Sequence, residues 1–134
     1  MAEFLIIVVA LFFAGMGVYG LALPARLVAP FGLTADSATA RAEVRAVYGG
    51  FGVAVAGLLF FAAFDAHGIR SVAVVTVAVA LLGMAFGRIV AALTDRPTRF
   101  YPVWFYFVVE IVLAGLLLCA AVLGSATSRR SRPT

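Results

Sequence analysis

Two ionisable side chains interrupt otherwise apolar runs of this chain: Arg88 and Glu110. A charge surrounded by hydrocarbon is costly, so such residues pair with each other, line a polar hollow or relay protons. Their positions allow a depth argument. Arg88 precedes the end of its apolar run, Thr94, by six residues, and Glu110 follows the start of the next run, Val103, by seven. At a helical rise of roughly 1.5 Å per residue, those offsets are about 9 and 10 Å. The polar stretch 95–102 joins the two ends, so an antiparallel hairpin brings the guanidinium and the carboxylate to nearly the same level. Tyr106 stands four residues before Glu110, on the same helix face. Arg45 and Tyr48 open the second apolar run, and Tyr19 closes the first, all on this side of the layer. The opposite half offers only Thr76 and Cys119 among apolar side chains. Arg45, Tyr48, Arg88, Tyr106 and Glu110 are therefore expected to form a one-sided polar cluster, the floor of a hollow with apolar walls above it. Three roles are open to it: a lock on helix register, a ligand pocket, or proton coupling through Glu110.

Those residues need a scaffold, and the composition says which. Of the 134 residues, 65% are hydrophobic and 12% charged, against about 45–50% and about 25% in soluble domains. A soluble chain this short cannot hide so much apolar surface, which leaves an integral membrane protein. Four continuous apolar stretches follow, at about 4–23, 40–64, 71–94 and 103–124, each close to the roughly 20 residues a spanning helix needs. Continuous rather than alternating hydrophobicity selects helices over barrel strands. The expected fold is all-α: an up-down-up-down four-helix membrane bundle over residues 1–124, with short loops and a basic, disordered tail at 125–134. The first stretch carries Glu3 and no basic residue ahead of it, unlike a cleaved secretory signal, so it is read as a retained span. The connection at 24–38 has an apolar side of Leu27, Val28, Phe31 and Leu33, and ends in Asp36 or Ser37 as N-cap. Pro102 suits the first turn of the fourth helix, with Tyr101 and Trp104 at headgroup level.

Small residues suggest where helices touch. Gly49, Gly50 and Gly52 in the second span and Gly83 and Gly87, a G-x-x-x-G, in the third are expected to let backbones approach closely. Packing within one bundle is favoured over a homodimer.

Several function classes drop out. No phosphate-binding loop, zinc-protease motif or nucleophile elbow is present, and Asp65 with His67 is too few ligands for a metal. No cofactor is implied. The ten basic residues, all arginine, outnumber six acidic ones for a net charge of +4, yet they flank apolar runs instead of clustering as nucleic-acid readers do. A lone cysteine, Cys119, forms no internal disulfide. With no nucleophile–base pair visible the chain reads as a non-enzyme, although Tyr48, Tyr106 and Glu110 could still form an acid–base group. The positive-inside count is four arginines against four; the basic tail tips both termini towards the cytoplasm.

Arg45-Ala-Val-Tyr-Gly-Gly50, Gly87-Arg88 and Glu110, in this order and at these separations, resemble the bacterial domain of unknown function 4345 family over about Phe4 to Ala121. That family looks related to the DoxX-like four-helix membrane proteins. The resemblance implies a compact four-helix bundle in the bacterial inner membrane, with motif positions at Arg45, Tyr48, Gly49, Gly50, Gly87, Arg88 and Glu110. It carries no assigned activity. The reading preferred from the residues is a bundle that binds a small amphipathic or lipid-like molecule. An accessory subunit held by a larger membrane partner and a small proton-coupled transporter are the alternatives.

Overall fold

Mean hydropathy sorts this chain into four helices long and apolar enough to cross a membrane, Ala2–Ala22, Ala38–Ala63, Arg70–Thr94 and Phe100–Ala126. The structure, a computed structural model, describes residues 1–64, 68–95 and 100–130. Asp65 and His67, Arg96 and Arg99, and Arg132 in the tail lie outside the described residues. Among the described residues there is no strand. The architecture is an all-α four-helix bundle running up-down-up-down.

The helices are α1 (Ala2–Ala22), a short α2 (Pro24–Val28), α3 (Ala38–Ala63), α4 (Arg70–Thr94) and α5 (Phe105–Arg130). The second span was expected from residue 40 and begins at Ala38, because Ser37 caps it: its Oγ accepts the Ala40 N–H at 3.0 Å. The fourth helix continues past Gly124 to Arg130, so the first part of the stretch expected as a disordered tail is helical. Backbone hydrogen bonds simply propagate along residues that need no new nucleus. Pro102 sits outside the regular helix, in the kinked lead-in Phe100–Trp104, where Tyr101 is extended and Tyr101–Pro102 is cis.

The spans close into a ring, α1 against α3, α3 against α4, α4 against α5 and α5 against α1. The contacts are uneven. α1 lies along α3 from Arg45 to Ala63, whereas α4 meets α3 mainly through its Phe51–Ala63 part. The α1–α3 seam is a glycine seam. A Cβ on Gly17 would stand 2.6 Å from the Val53 nitrogen, one on Gly52 2.9 Å from the Gly17 Cα, and one on Gly49 2.7 Å from Leu21 Cδ2. No other residue permits that approach. Backbone-to-backbone packing replaces the hydrophobic drive that lipid removes. Three other expected packing glycines do not serve: Gly83 and Gly87 have nothing within 4 Å of a built Cβ, and Gly50 meets only the carbonyl of its own turn at 3.7 Å. The G-x-x-x-G of the third span faces outward.

The half of the bundle where α3 gives way to α4 is filled by Ile6, Val9, Leu59, Val74, Leu117 and their neighbours. Arg70 ties that end together. It donates to the Ala62 and Ala63 carbonyls at the C-terminus of α3, at 3.2 and 2.6 Å. It also meets Glu3 at 3.4 Å. These are carbonyls that a helix end otherwise leaves unpaired.

Candidate functional site

The α4–α5 hairpin brings Arg88 and Glu110 together, as their depths require. The Arg88 Nε donates to both carboxylate oxygens, at 3.0 and 2.9 Å, and Nη2 donates to Oε1 at 2.8 Å. These are charge-assisted lengths. The Glu110 side chain is only 4% exposed and that of Arg88 20%. Tyr106, one turn before Glu110, lies with its ring centroid 5.6 Å from the Arg88 guanidinium carbon, within reach of a cation–π contact.

This group borders a cavity of about 650 Å³, inside the range of about 300–1,000 Å³ typical of ligand pockets. α1 supplies Phe12, Phe13 and Met16, and α5 supplies Tyr106, Val109, Glu110 and Leu113. The facing sides of α3 and α4 complete it with Tyr48, Phe51, Leu81, Met84 and Arg88. Val47, Tyr48 and Phe51 on α3 and Met84 on α4 are each about half exposed. Together with the loose packing of α4 on this end of α3, they make the hollow a cleft that opens sideways between the second and third spans.

The polar group is not the floor that the sequence implied. Leu81 lies seven residues deeper than Arg88 along α4, about 10 Å at the helical rise. The end towards the middle of the layer is therefore apolar, from Leu81, Leu113 and Phe12, and the ion pair is a side wall nearer the loop side. The cause is directional: α4 arrives at Arg88 only after its apolar turns have crossed the layer, so the deeper positions were already Leu and Met.

The second span owes its shape to a π turn at Arg45–Gly50, the stretch that carries the motif Arg45-Ala-Val-Tyr-Gly-Gly50. Such widened turns recur at functional sites. Here the wide turn lets three consecutive residues, Ala46, Val47 and Tyr48, all line the cleft. On its other side it sets Gly49 against α1. Arg45 itself is turned away. Its Nε donates to the Leu21 carbonyl at 3.0 Å, closing the C-terminal end of α1, and it does not line the cavity. Arg45 is thus corrected from a cluster member to a tether. Arg41 is likewise held by the Ala35 and Asp36 carbonyls, at 3.3 and 2.6 Å. Of the five expected cluster residues, Tyr48, Arg88, Tyr106 and Glu110 border one hollow.

Sequence reasoning missed the lid. Leu27 and Phe31, from the connection after α1, close the hollow on its loop side. Phe31 lies 5.5 Å from Tyr106 between ring centroids. Leu27 and Val28 are buried with Ala35 against Met16, Ala40 and Val44. Gly32, at φ 72°, supplies the left-handed turn that ends the 3₁₀ segment Ala29–Phe31. The signal was present in the apolar side of that connection, but nothing in one dimension places it over Tyr106.

Fold and site together define a multi-pass membrane protein, a four-helix bundle hollow on one side. Residues 1–121 match the family described as Domain of unknown function (DUF4345), and the chain belongs to that family. No curated protein and no solved structure matches it.

Proposed function

We propose that the protein is a non-enzymatic bundle that holds a small amphipathic or lipid-like molecule, such as a lipid or quinone headgroup with its apolar part, in the cleft between the second and third spans. The observation that carries this reading is the cleft's own amphipathicity. An apolar well descends from a wall bearing Arg88, Glu110 and Tyr106, and its sides open where lipid would lie. A register lock alone calls for no hollow beside the pair. The proton-coupled transporter is the weaker reading, because Glu110 is buried and already engaged by three hydrogen bonds from Arg88. An accessory subunit would be recognised by a larger membrane protein that co-purifies from native membranes. The inner membrane, with both termini cytoplasmic, is the proposed setting; a reporter on the C-terminus active only outside the cell refutes that orientation.

Native mass spectrometry of the protein released from gently solubilised membranes tests the binding reading. A retained small amphipath is expected, and its amount or its headgroup class changes in Arg88→Ala and in Glu110→Gln. A wild-type protein that carries nothing, or variants that keep the same passenger, overturn the reading.

A further inference from the structure

The charge balance of the cleft identifies the chemical class of its occupant. The geometry points to an uncharged amphipath, one whose polar end presents carbonyl or hydroxyl oxygens, with Glu110 as the residue that excludes anionic headgroups; this rests on the reading that the cleft holds a lipid-like molecule. Among the described residues, two charged side chains line the hollow, Arg88 and Glu110, and they cancel. The nearby Arg45 and Arg41 are spent on backbone carbonyls outside it. An incoming phosphate would therefore lose its hydration and meet a carboxylate, with a guanidinium already neutralised through three hydrogen bonds. A cation would meet the Arg88 charge at equally short range.

An uncharged oxygen finds donors instead. The three recorded hydrogen bonds of Arg88 use Nε and Nη2, and none uses Nη1. The Arg88 side chain lines the cleft and is 20% exposed, so part of its guanidinium stays open to an acceptor. The Tyr48 side chain lines the same hollow and is half exposed. A carbonyl or hydroxyl can accept from such groups while the ion pair stays intact. Below it, Leu81, Leu113 and Phe12 offer only apolar surface to a chain.

The test keeps the chain constant and changes the head. Purified protein is offered equal amounts of monooleoylglycerol and oleoyl-lysophosphatidylglycerol, and bound lipid is read by native mass spectrometry. Wild type is expected to retain the uncharged lipid by roughly tenfold or more over the anionic one, a difference of about 1.4 kcal/mol or more. Glu110→Gln frees the Arg88 charge, so the preference falls several-fold or inverts. The double variant Arg88→Gln/Glu110→Gln restores neutrality and with it the preference. Met84→Trp, which fills the mouth of the cleft, removes both lipids. Equal retention by wild type, or a preference for the anion, with Met84→Trp still emptying the cleft, overturns the inference and leaves the binding reading standing. Retention of neither lipid, or retention unchanged by Met84→Trp, overturns both. Should Glu110→Gln not fold, the wild-type preference and the double variant decide.

Discussion

Among the described residues, each half of this bundle holds one arginine–carboxylate pair, and the two pairs do different things. At the end where α3 gives way to α4, Arg70 meets Glu3 at 3.4 Å with the glutamate 63% exposed, while its other two hydrogen bonds go to helix-end carbonyls. In the other half, Arg88 meets a buried Glu110 at 2.8 Å beside a cavity of about 650 Å³. The first half is solid, packed by Ile6, Leu59 and Leu117; the second is hollow. The contrast teaches that the charge partner matters less than its surroundings. An exposed pair contributes little, whereas the energy of a buried one turns on whether either group is left alone.

The comparison can be broken at its strongest point first. Glu110→Ala leaves Arg88 unpaired in an apolar wall and is expected to cost about 3–5 kcal/mol, read as a lowered thermal midpoint in detergent. Replacing both partners by apolar residues (Arg88→Met with Glu110→Leu) is expected to leave stability unchanged or raised; a loss as large as that of Glu110→Ala would mean the pair itself holds the fold. Next comes the solid half. Leu117→Ala, at a fully buried position, is expected to cost about 3 kcal/mol, while Met84→Ala on the lip of the cleft costs less than about 1 kcal/mol. Equal losses at the two positions would contradict the division into filled and hollow halves.

The seam between α1 and α3 comes third. Gly52→Val must push apart backbones whose nearest atom would lie 2.9 Å from a new Cβ, so a loss of about 1–3 kcal/mol is expected. Gly87→Ala, which meets nothing, shifts stability by no more than about 1 kcal/mol and in the favourable direction, as helix propensity dictates. If Gly87→Ala destabilised the protein or changed its oligomeric state on gel filtration, the outward face of α4 would be a contact surface. The smallest effect belongs to the exposed pair: Glu3→Gln is expected to change stability by under about 1 kcal/mol, measured in the same melts.

Much of this was legible in the residues. Four apolar runs of spanning length dictate four helices, because backbone groups in hydrocarbon must satisfy each other within a segment. The level of Arg88 and Glu110 followed from counting along two helices joined by a short turn. What counting could not reach was rotation about the helix axes. Gly83 and Gly87 stand four residues apart, on one helix face, yet α4 turns that face outward. Arg45 belongs with the cluster by depth but is drawn to the open carbonyl of Leu21, because a helix end needs a donor and the π turn aims the side chain at one.

Composition and span length alone determined that this chain is a four-helix membrane protein, since hydrocarbon tolerates only backbone that satisfies its own hydrogen bonds. The tertiary structure alone decided that the second span leans on the first through its glycines and stands away from the third, and that Phe31 folds back over Tyr106. That choice depends on which backbones can approach to van der Waals contact, a property of three-dimensional shape that the order of residues does not display.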